Sequence, residues 1–344
     1  MGFNLNKFSS KALFGISFIA LSVANAYADT ASVTATTAKP VIEQIVDTLT
    51  TLSSGPHAGF RANHAKGIVV DGEFTAAPTA SAITKASYLQ GKVTTPVTVR
   101  FSNATGVPNI PDADGNAFPK GMAIRFNLPK DVVTDMVVIS VNGFPAAKPE
   151  DFLGLLNAVA ATKPDSTKPS PVEQFLESHP AAKKFVSTPK PAPVSFATQP
   201  FFGINAFKFT NAKGETHYGR YLIKPLTDAK YLTNEETAKA APNYLMIELP
   251  TRLKTSTVKY SIALQIAQKG DVTNDATVSW PTNRKVIKLG TLILKAMNVD
   301  GVKFEKVTMY NPLTLVDGIE PSDDPILLAR PAAYAVSFSR RVGK

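Results

Sequence analysis

The sequence of 344 residues has no cysteine, a single tryptophan and four histidines. The absence of cysteine excludes disulfide bridges, thiolate nucleophiles, iron–sulfur clusters and haem held by a Cys-x-x-Cys-His motif. Four scattered histidines also give no basis for a metal site built from several imidazole ligands. Apolar residues make up 44% of the chain and charged residues 19%, which predicts a folded protein with a sizeable core.

Positive charge is in excess but is not concentrated anywhere. Lysine and arginine number 37 against 27 aspartates and glutamates, and no run of five or six basic residues occurs. A nucleic-acid interface would combine a basic patch with interleaved aromatic residues, and this pattern is missing. The sequence therefore predicts a solvated basic surface and no nucleic-acid partner, and it leaves open that some arginines face an anionic cofactor.

Residues 1–28 have the pattern of a secretory signal peptide. Lys7 and Lys11 precede a mostly apolar stretch at 12–23, and Ala26-Tyr27-Ala28 is a small-x-small cleavage site. Cleavage after Ala28 would remove 28 residues and two lysines, which leaves 316 residues and lowers the net charge from +10 to +8. No later apolar run is long enough to span a membrane. We therefore expect a periplasmic protein that does not attach to a membrane, with an uncleaved N-terminal anchor as the alternative.

The rest of the chain predicts a lead-in with one helix at 29–55 and one domain at 56–344. Period-2 and β-branched segments predict strands, and their number and spacing favour an antiparallel barrel with added helices, an α+β fold. The predicted strands are 67–74, 97–102, 122–126, 135–142, 204–209, 218–224, 243–248, 260–267 and 285–297. The predicted helices are 41–53, 152–161, 171–179, 181–186 and 330–341.

Two clusters of polar residues lie near the first strands. His64 stands between Arg61 and Lys66, whose positive charges suit an anionic ligand. Arg100 and Ser102 are two residues apart on a predicted strand, so their side chains share one face. An arginine and a hydroxyl on one inward face predict a polar site inside the barrel, and a polar strand face in water is the alternative.

A third cluster lies near the C-terminus. Arg330 and Tyr334 are four residues apart, so on a helix they share a face, and Arg341 follows two turns later on the same side. A guanidinium beside a phenol favours the phenolate, because a nearby opposite charge stabilises the ionised form. Such a phenolate suits a ferric ion, and a surface Arg–Tyr pair is the alternative.

Together the three clusters resemble motifs of the haem catalases, and specifically of the smaller catalase-related peroxidases. Weaker similarity lies at 120–126 and 275–281, so that the resemblance extends over about residues 56–341. The strongest matches are Arg61-x-x-His64-Ala65-Lys66-Gly67, Arg100-Phe101-Ser102, Gly318-Ile319-Glu320-Pro321-Ser322 with Asp324, and Arg330-x-x-x-Tyr334.

The resemblance implies a catalase-like antiparallel β-barrel with haem b between the barrel and the C-terminal helix. Tyr334 is implied as the proximal ligand of the haem iron, kept ionised by Arg330. His64 is implied as the distal acid–base residue, and Ser102 as the residue that orients its ring. Other residues implied to contact haem are Arg61, Arg100 and Arg341 at the propionates, Phe152 on the distal face, and Val99 and Phe101 along the pocket.

The sequence departs from the family pattern at two places. Ungapped alignment places Ser140 where catalases have a distal asparagine, and Asn142 lies two residues further on. The printed sequence also ends three residues after Arg341, before the segments with which larger catalases wrap neighbouring subunits. The second departure predicts a monomer or small homo-oligomer without bound NADPH.

The resemblance implies a haem peroxidase that reduces hydrogen peroxide or organic peroxides with small organic reductants, with weak catalase activity. Three alternatives remain open at this point. They are a catalase-fold enzyme that rearranges fatty-acid hydroperoxides, a non-catalytic periplasmic haem-binding protein, and a lipocalin-like carrier without haem. The presence of both His64 and Ser102 favours catalysis.

Overall fold

The computed structural model describes residues 39–343. The predicted signal segment 1–28 and most of the lead-in that follows lie outside the described residues. In the described part of the chain, no helix is both long enough and apolar enough to cross a membrane.

The described strands form one antiparallel sheet. The strands are β1 (Gly67–Ala76), β2 (Thr94–Ser102), β3 (Gly121–Asn127), β4 (Val133–Ile139), β5 (Phe201–Phe202), β6 (Phe207–Thr210), β7 (Thr216–Pro225), β8 (Val258–Ile266), β9 (Val286–Met297) and β10 (Ile319–Pro321). Neighbours follow the order β1-β2-β3-β4-β5-β7-β8-β9, and β9 returns to β1, which closes an eight-stranded barrel. The strands β6 and β10 extend the sheet outward from β7. The expected α+β fold with an antiparallel barrel is confirmed.

Strand alternation explains the packing of the barrel. Odd-numbered residues of β2, such as Val99 and Phe101, are fully buried in the main hydrophobic cluster. The Phe101 ring stacks on Phe196 with a centroid distance of 4.9 Å. Because successive side chains of a strand point to opposite faces, Arg100 lies on the outer face of the barrel. The prediction of a polar site inside the barrel is therefore wrong, because aromatic and aliphatic side chains fill the interior.

Helices cover part of the outer barrel surface. They are α1 (Val41–Leu52), α2 (Pro149–Ala161), α3 (Pro171–Ser178), α4 (Pro180–Ser187), α5 (Asn234–Lys239), α6 (Tyr244–Leu253), α7 (Gly301–Val307) and α8 (Pro325–Val342). The helices α1, α2 and α8 pack on one another, and Ile45 of α1 joins Leu153 and Leu156 of α2 in a second hydrophobic cluster. This helical layer forms the outer wall of the site described below.

The helices α5 and α7 were not predicted, and α6 and α8 differ from the sequence-based expectation. The segment 243–248, predicted as a strand, belongs to α6. Leu245 and Leu249 are fully buried and four residues apart, while Ile247 between them is 61% exposed, which is the helical period rather than the strand period. The C-terminal helix begins at Pro325, five residues before the predicted start. Its N-cap is Asp324, whose carboxylate accepts hydrogen bonds from the first helical backbone amides.

Candidate active site

A cavity of about 270 Å³ lies between the outer face of β2–β4 and the helices α1 and α8. Eight of the eleven residues predicted for the site line it, and the side chains come from elements far apart in sequence. The eight are Arg61, His64, Arg100, Ser102, Phe152, Arg330, Tyr334 and Arg341. Ser140, Val99 and Phe101 are not part of the lining.

His64 is held in place from both its backbone and its ring. Its backbone φ of 57° lies in the left-handed region, which residues other than glycine rarely adopt. The side chain of Asn63 stabilises this turn, because its Oδ1 accepts hydrogen bonds from the backbone amides of His64 and Thr105. On the ring, Nδ1 lies 3.0 Å from Ser102 Oγ. Gly121 of β3 packs against this pair, and a Cβ there would come within 2.9 Å of the His64 ring.

The second pair of the cavity is Arg330 and Tyr334. The guanidinium donates two hydrogen bonds to the phenol oxygen, from Nε at 3.0 Å and from a terminal nitrogen at 2.9 Å. A third hydrogen bond from Arg330 goes to Asn205 Oδ1, and the Asn205 amide donates to the carboxylate of Asp324. The residue that caps α8 therefore also fixes, through Asn205, the guanidinium that faces Tyr334.

Three arginines of the cavity lining gather around Glu305 and Thr308, and the cluster contains a single carboxylate. Arg100 Nε donates to Glu305 of α7 at 2.5 Å. Arg61 donates to the carbonyl oxygens of Glu305 and Thr308, and Arg341 also donates to Thr308. With one carboxylate for three guanidiniums, this cluster carries an excess of positive charge next to the cavity.

The protonation behaviour of the arginines reflects this excess. Burial, reinforced by the charge of Arg100, lowers the pKa of Arg341 to about 10. Burial and the same neighbour hold the pKa of Arg61 well below its ordinary value. In addition, Arg341 Nε is buried with no hydrogen-bond partner in the described part of the chain. A ligand with two carboxylates would neutralise the cluster and satisfy this orphaned donor.

His64 is a neutral base in this environment. Burial and neighbouring positive charges lower its pKa from 6.5 to about 3. Removal of the ring from water is the largest cause, and the charges of Arg100, Arg61 and Arg330 add to it. The imidazole therefore stays unprotonated over the whole physiological pH range and can accept a proton.

The structure separates Ser140 from the cavity and brings Ile139 to it. The Ser140 hydroxyl accepts a hydrogen bond from the backbone amide of Lys120 at 2.9 Å. Ile139, the last residue of β4, lines the cavity and is the cross-strand partner of Gly121, which packs on the His64 ring. The wall beside His64 is therefore apolar at the end of β4. Asn142 is exposed and does not line the cavity.

Sequence reasoning missed several residues that shape the site. Asn205 and Glu305 lie in segments with no motif, and only the folded barrel brings them to the arginines. The helix α1 also lines the cavity, through Ile42, Ile45 and Leu49. Its amphipathic pattern was visible in the sequence, but that pattern does not tell which surface the helix covers. The predicted pocket residues Val99 and Phe101 lie inside the barrel instead, as strand alternation requires.

A family model described as Catalase matches residues 32–344. The chain belongs to the catalase family. Among its relatives is a catalase-related peroxidase from Synechococcus elongatus, 36% identical over 295 residues that cover 83% of this chain and 85% of the relative. A catalase-related peroxidase from Mycolicibacterium paratuberculosis is 32% identical, with coverage of 85% and 92%.

Solved catalases share the fold of this family member. A structure titled as a bacterial catalase superposes with a TM-score of 0.73 and 23% identity, covering 88% of this chain and 61% of its own. Catalase A from Saccharomyces cerevisiae gives a TM-score of 0.72 at 21% identity, with coverage of 87% and 64%. The chain thus spans about three fifths of the length of these solved catalases.

The catalase family implies a haem cofactor, and the residues of the cavity fit one. Tyr334 offers an oxygen ligand for a ferric ion, and the three arginines offer excess positive charge for two propionates. The orphaned Arg341 Nε points to an anionic group that the chain itself does not supply. Phe152 lies on the same cavity and offers a flat apolar surface.

Proposed function

We propose that this protein is a haem peroxidase that reduces hydrogen peroxide or organic peroxides with small organic reductants, and disproportionates hydrogen peroxide slowly. As a member of the catalase family, it is an oxidoreductase that acts on peroxide. One cavity holds two polar pairs, Arg330 with Tyr334 and His64 with Ser102. This observation supports the proposal of a haem peroxidase. The first pair serves to hold iron, and the second to move protons.

Haem would be held by two groups of cavity residues. Tyr334 would ligate the iron through its phenol oxygen, while the two hydrogen bonds from Arg330 stabilise negative charge on that oxygen. Arg61, Arg100 and Arg341 would hold the propionates. The proposed type is haem b, as the resemblance to catalases implies, and the absence of cysteine excludes haem attached through cysteine. When bound, haem supplies the redox chemistry that splits the O–O bond and later accepts electrons from the reductant.

His64 would transfer the proton that peroxide cleavage requires. Because Nδ1 is engaged with Ser102 Oγ, Nε2 is the nitrogen left for the substrate. The neutral ring takes a proton from one peroxide oxygen and returns it to the departing oxygen, which leaves as water or an alcohol. Ser102 keeps the ring in the orientation that this transfer needs.

The wall beside His64 would decide between the peroxidase and catalase reactions. Disproportionation needs a second hydrogen peroxide to be ordered for two-electron transfer, and a polar side chain beside His64 would help to order it. The chain has Ile139 in this wall, while the Ser140 hydroxyl accepts a hydrogen bond from the Lys120 backbone amide. One-electron oxidation of an organic reductant does not depend on such a side chain.

Matched variants of neighbouring residues test this proposal. We expect the parent to oxidise substituted phenols well and to release oxygen from peroxide slowly. Ile139→Asn adds a hydrogen-bonding group to the cavity wall, and it should raise oxygen release about tenfold, as for one hydrogen bond of ordinary strength. Ser140→Asn is the control, and it should leave oxygen release near the parental rate.

The measurement is oxygen release against phenol oxidation for all three proteins. A larger rise in oxygen release for Ser140→Asn than for Ile139→Asn would indicate that Ser140, and not Ile139, corresponds to the distal asparagine of catalases. Rapid oxygen release by the parent, with negligible phenol oxidation, would contradict the peroxidase proposal.

We also propose that the protein is exported to the periplasm. The support is the signal-like sequence of residues 1–28 with its cleavage site after Ala28. Mass spectrometry of protein purified from its native host should then find Asp29 at the mature N-terminus. Finding Met1 on soluble protein would contradict export by cleavage.

A further inference from the structure

A second cavity of about 660 Å³ adjoins the first. It is bounded by the C-terminal ends of α1 and α8 and by the loop 55–62. Arg61, Ala62 and Ser337 line both cavities, and the Ala62 amide donates to Ser337 Oγ across this shared wall. A molecule in the second cavity would thus be separated from the first by a single layer of residues. The peroxide chemistry described above makes no use of this space.

The loop presents an aromatic side chain to this cavity. Phe60 lines it, and its side chain is 45% exposed. The Phe60 amide donates to the His57 carbonyl, so these two residues belong to one turn. Gly59 between them has a φ of 79°, a left-handed conformation that glycine adopts without strain. The turn therefore keeps a flat apolar surface open to the cavity.

The same turn presents a proton acceptor. His57 Nε2 lies 2.8 Å from the carbonyl oxygen of Ser53, so Nε2 must carry the hydrogen and donate it. In the tautomer that carries its hydrogen on Nε2, Nδ1 is the ring nitrogen that can accept a hydrogen bond. In residues 39–343 the His57 ring makes no other hydrogen bond. Both residues line the cavity, and an aromatic surface and a hydrogen-bond acceptor match the two parts of a phenol, the ring and the O–H group.

We propose that the cavity formed by the ends of α1 and α8 and the loop 55–62 binds the reductant, and that the reductant is a phenol. Phe60 would pack on the aromatic ring, and His57 Nδ1 would accept the phenolic proton. This inference rests on the peroxidase function proposed above and names the class of its reductant and the site that holds it.

Oxidation of a phenol releases a proton, and His57 would accept it. Two phenols each lose one electron and one proton and become phenoxyl radicals. The two electrons and two protons, together with one hydrogen peroxide, form two waters. The peroxide is the oxidant, and His57 Nδ1 accepts the proton from each phenol before solvent removes it. His57 is thus a proton acceptor in the reductant step and takes no part in O–O cleavage.

Binding is tested without peroxide, so that its outcome does not depend on the proposed function. The probe is guaiacol, 2-methoxyphenol, and its affinity for the haem-loaded protein is measured by calorimetry or ligand-observed NMR. Phe60→Ala should weaken guaiacol binding about tenfold, the cost of losing one aromatic contact and its buried area. The matched control is Tyr231→Ala, because Tyr231 is an aromatic residue of 38% exposure that lines neither cavity. Equal guaiacol affinity in parent, Phe60→Ala and Tyr231→Ala would overturn the assignment.

The role of His57 is tested by comparing two reductants. His57→Gln keeps an N–H donor for the Ser53 carbonyl but removes the basic nitrogen. It should lower kcat for guaiacol by at least about tenfold and change its KM little, because a proton acceptor is lost. Hexacyanoferrate(II) has no proton to lose, so its oxidation should proceed at the parental rate. His217→Gln, outside both cavities, is the control.

Equal slowing of both reductants in His57→Gln would overturn the proton-accepting role, since it would show a structural defect. A parent that binds guaiacol through Phe60 but oxidises neither reductant would instead contradict the peroxidase function and leave the binding site standing.

Discussion

Tyr334→Phe is expected to yield a folded protein that is purified almost without haem. The substitution removes the phenol oxygen, which is the proposed iron ligand and the acceptor of two hydrogen bonds from Arg330. Residues that merely support a metal ligand change metal affinity by about 10- to 100-fold, so loss of the ligand itself should cost at least about a hundredfold. Haem content per protein, measured by absorption after denaturation, gives the result directly.

Tyr310→Phe provides the matched control for this experiment. Tyr310 lines the same cavity, so each variant loses one phenol oxygen from a residue of the cavity lining. Because Tyr310 lies outside the proposed ligand set, its variant should keep the parental haem content. If Tyr334→Phe retained full haem with an unchanged spectrum, Tyr334 would not be the ligand.

His64→Gln is expected to keep its haem and to react with peroxide about 10²- to 10⁴-fold more slowly, the usual cost of losing an acid–base residue. Glutamine can preserve the hydrogen bond to Ser102 but cannot take up and return a proton. Stopped-flow mixing with peroxide measures the rate before any reductant is involved. His217→Gln, which lies away from the cavity, should react at the parental rate.

The pH dependence of the parent gives an independent view of the same residue. Because burial and three arginines lower the pKa of His64 to about 3, the ring stays a neutral base in mildly acidic solution. The peroxide reaction should therefore keep a level rate between about pH 8 and about pH 4, and should fall as His64 becomes protonated at lower pH. A rate that halves near pH 6.5 would indicate an ordinary solvated histidine. If His64→Gln reacted with peroxide at the parental rate, His64 would have only a structural role.

The local part of the site could be predicted from the sequence. Arg330 and Tyr334 are four residues apart, and one helix is enough to bring them together. The pairing of His64 with Ser102 and the arginine cluster came from the resemblance to catalases, since these contacts join distant segments. The barrel itself followed from strand number and spacing.

The rest depended on tertiary structure. Strand alternation grouped Arg100 with Ser102, but it did not tell which face of the barrel was packed and which carried the cavity. The sequence did not tell whether Ile139 or Ser140 lines the cavity beside His64. That depends on where β4 ends and on the Lys120 backbone amide, which donates a hydrogen bond to the Ser140 hydroxyl. No motif identifies Asn205, because its role exists only when the loop before β6 meets α8.

We propose that this catalase-family chain holds haem iron through the oxygen of Tyr334. The most direct test is the electronic absorption spectrum of the purified, haem-loaded parent protein. We predict the spectrum of a high-spin ferric haem with a phenolate ligand. A histidine-ligated spectrum, or a protein that takes up no haem, would contradict the account.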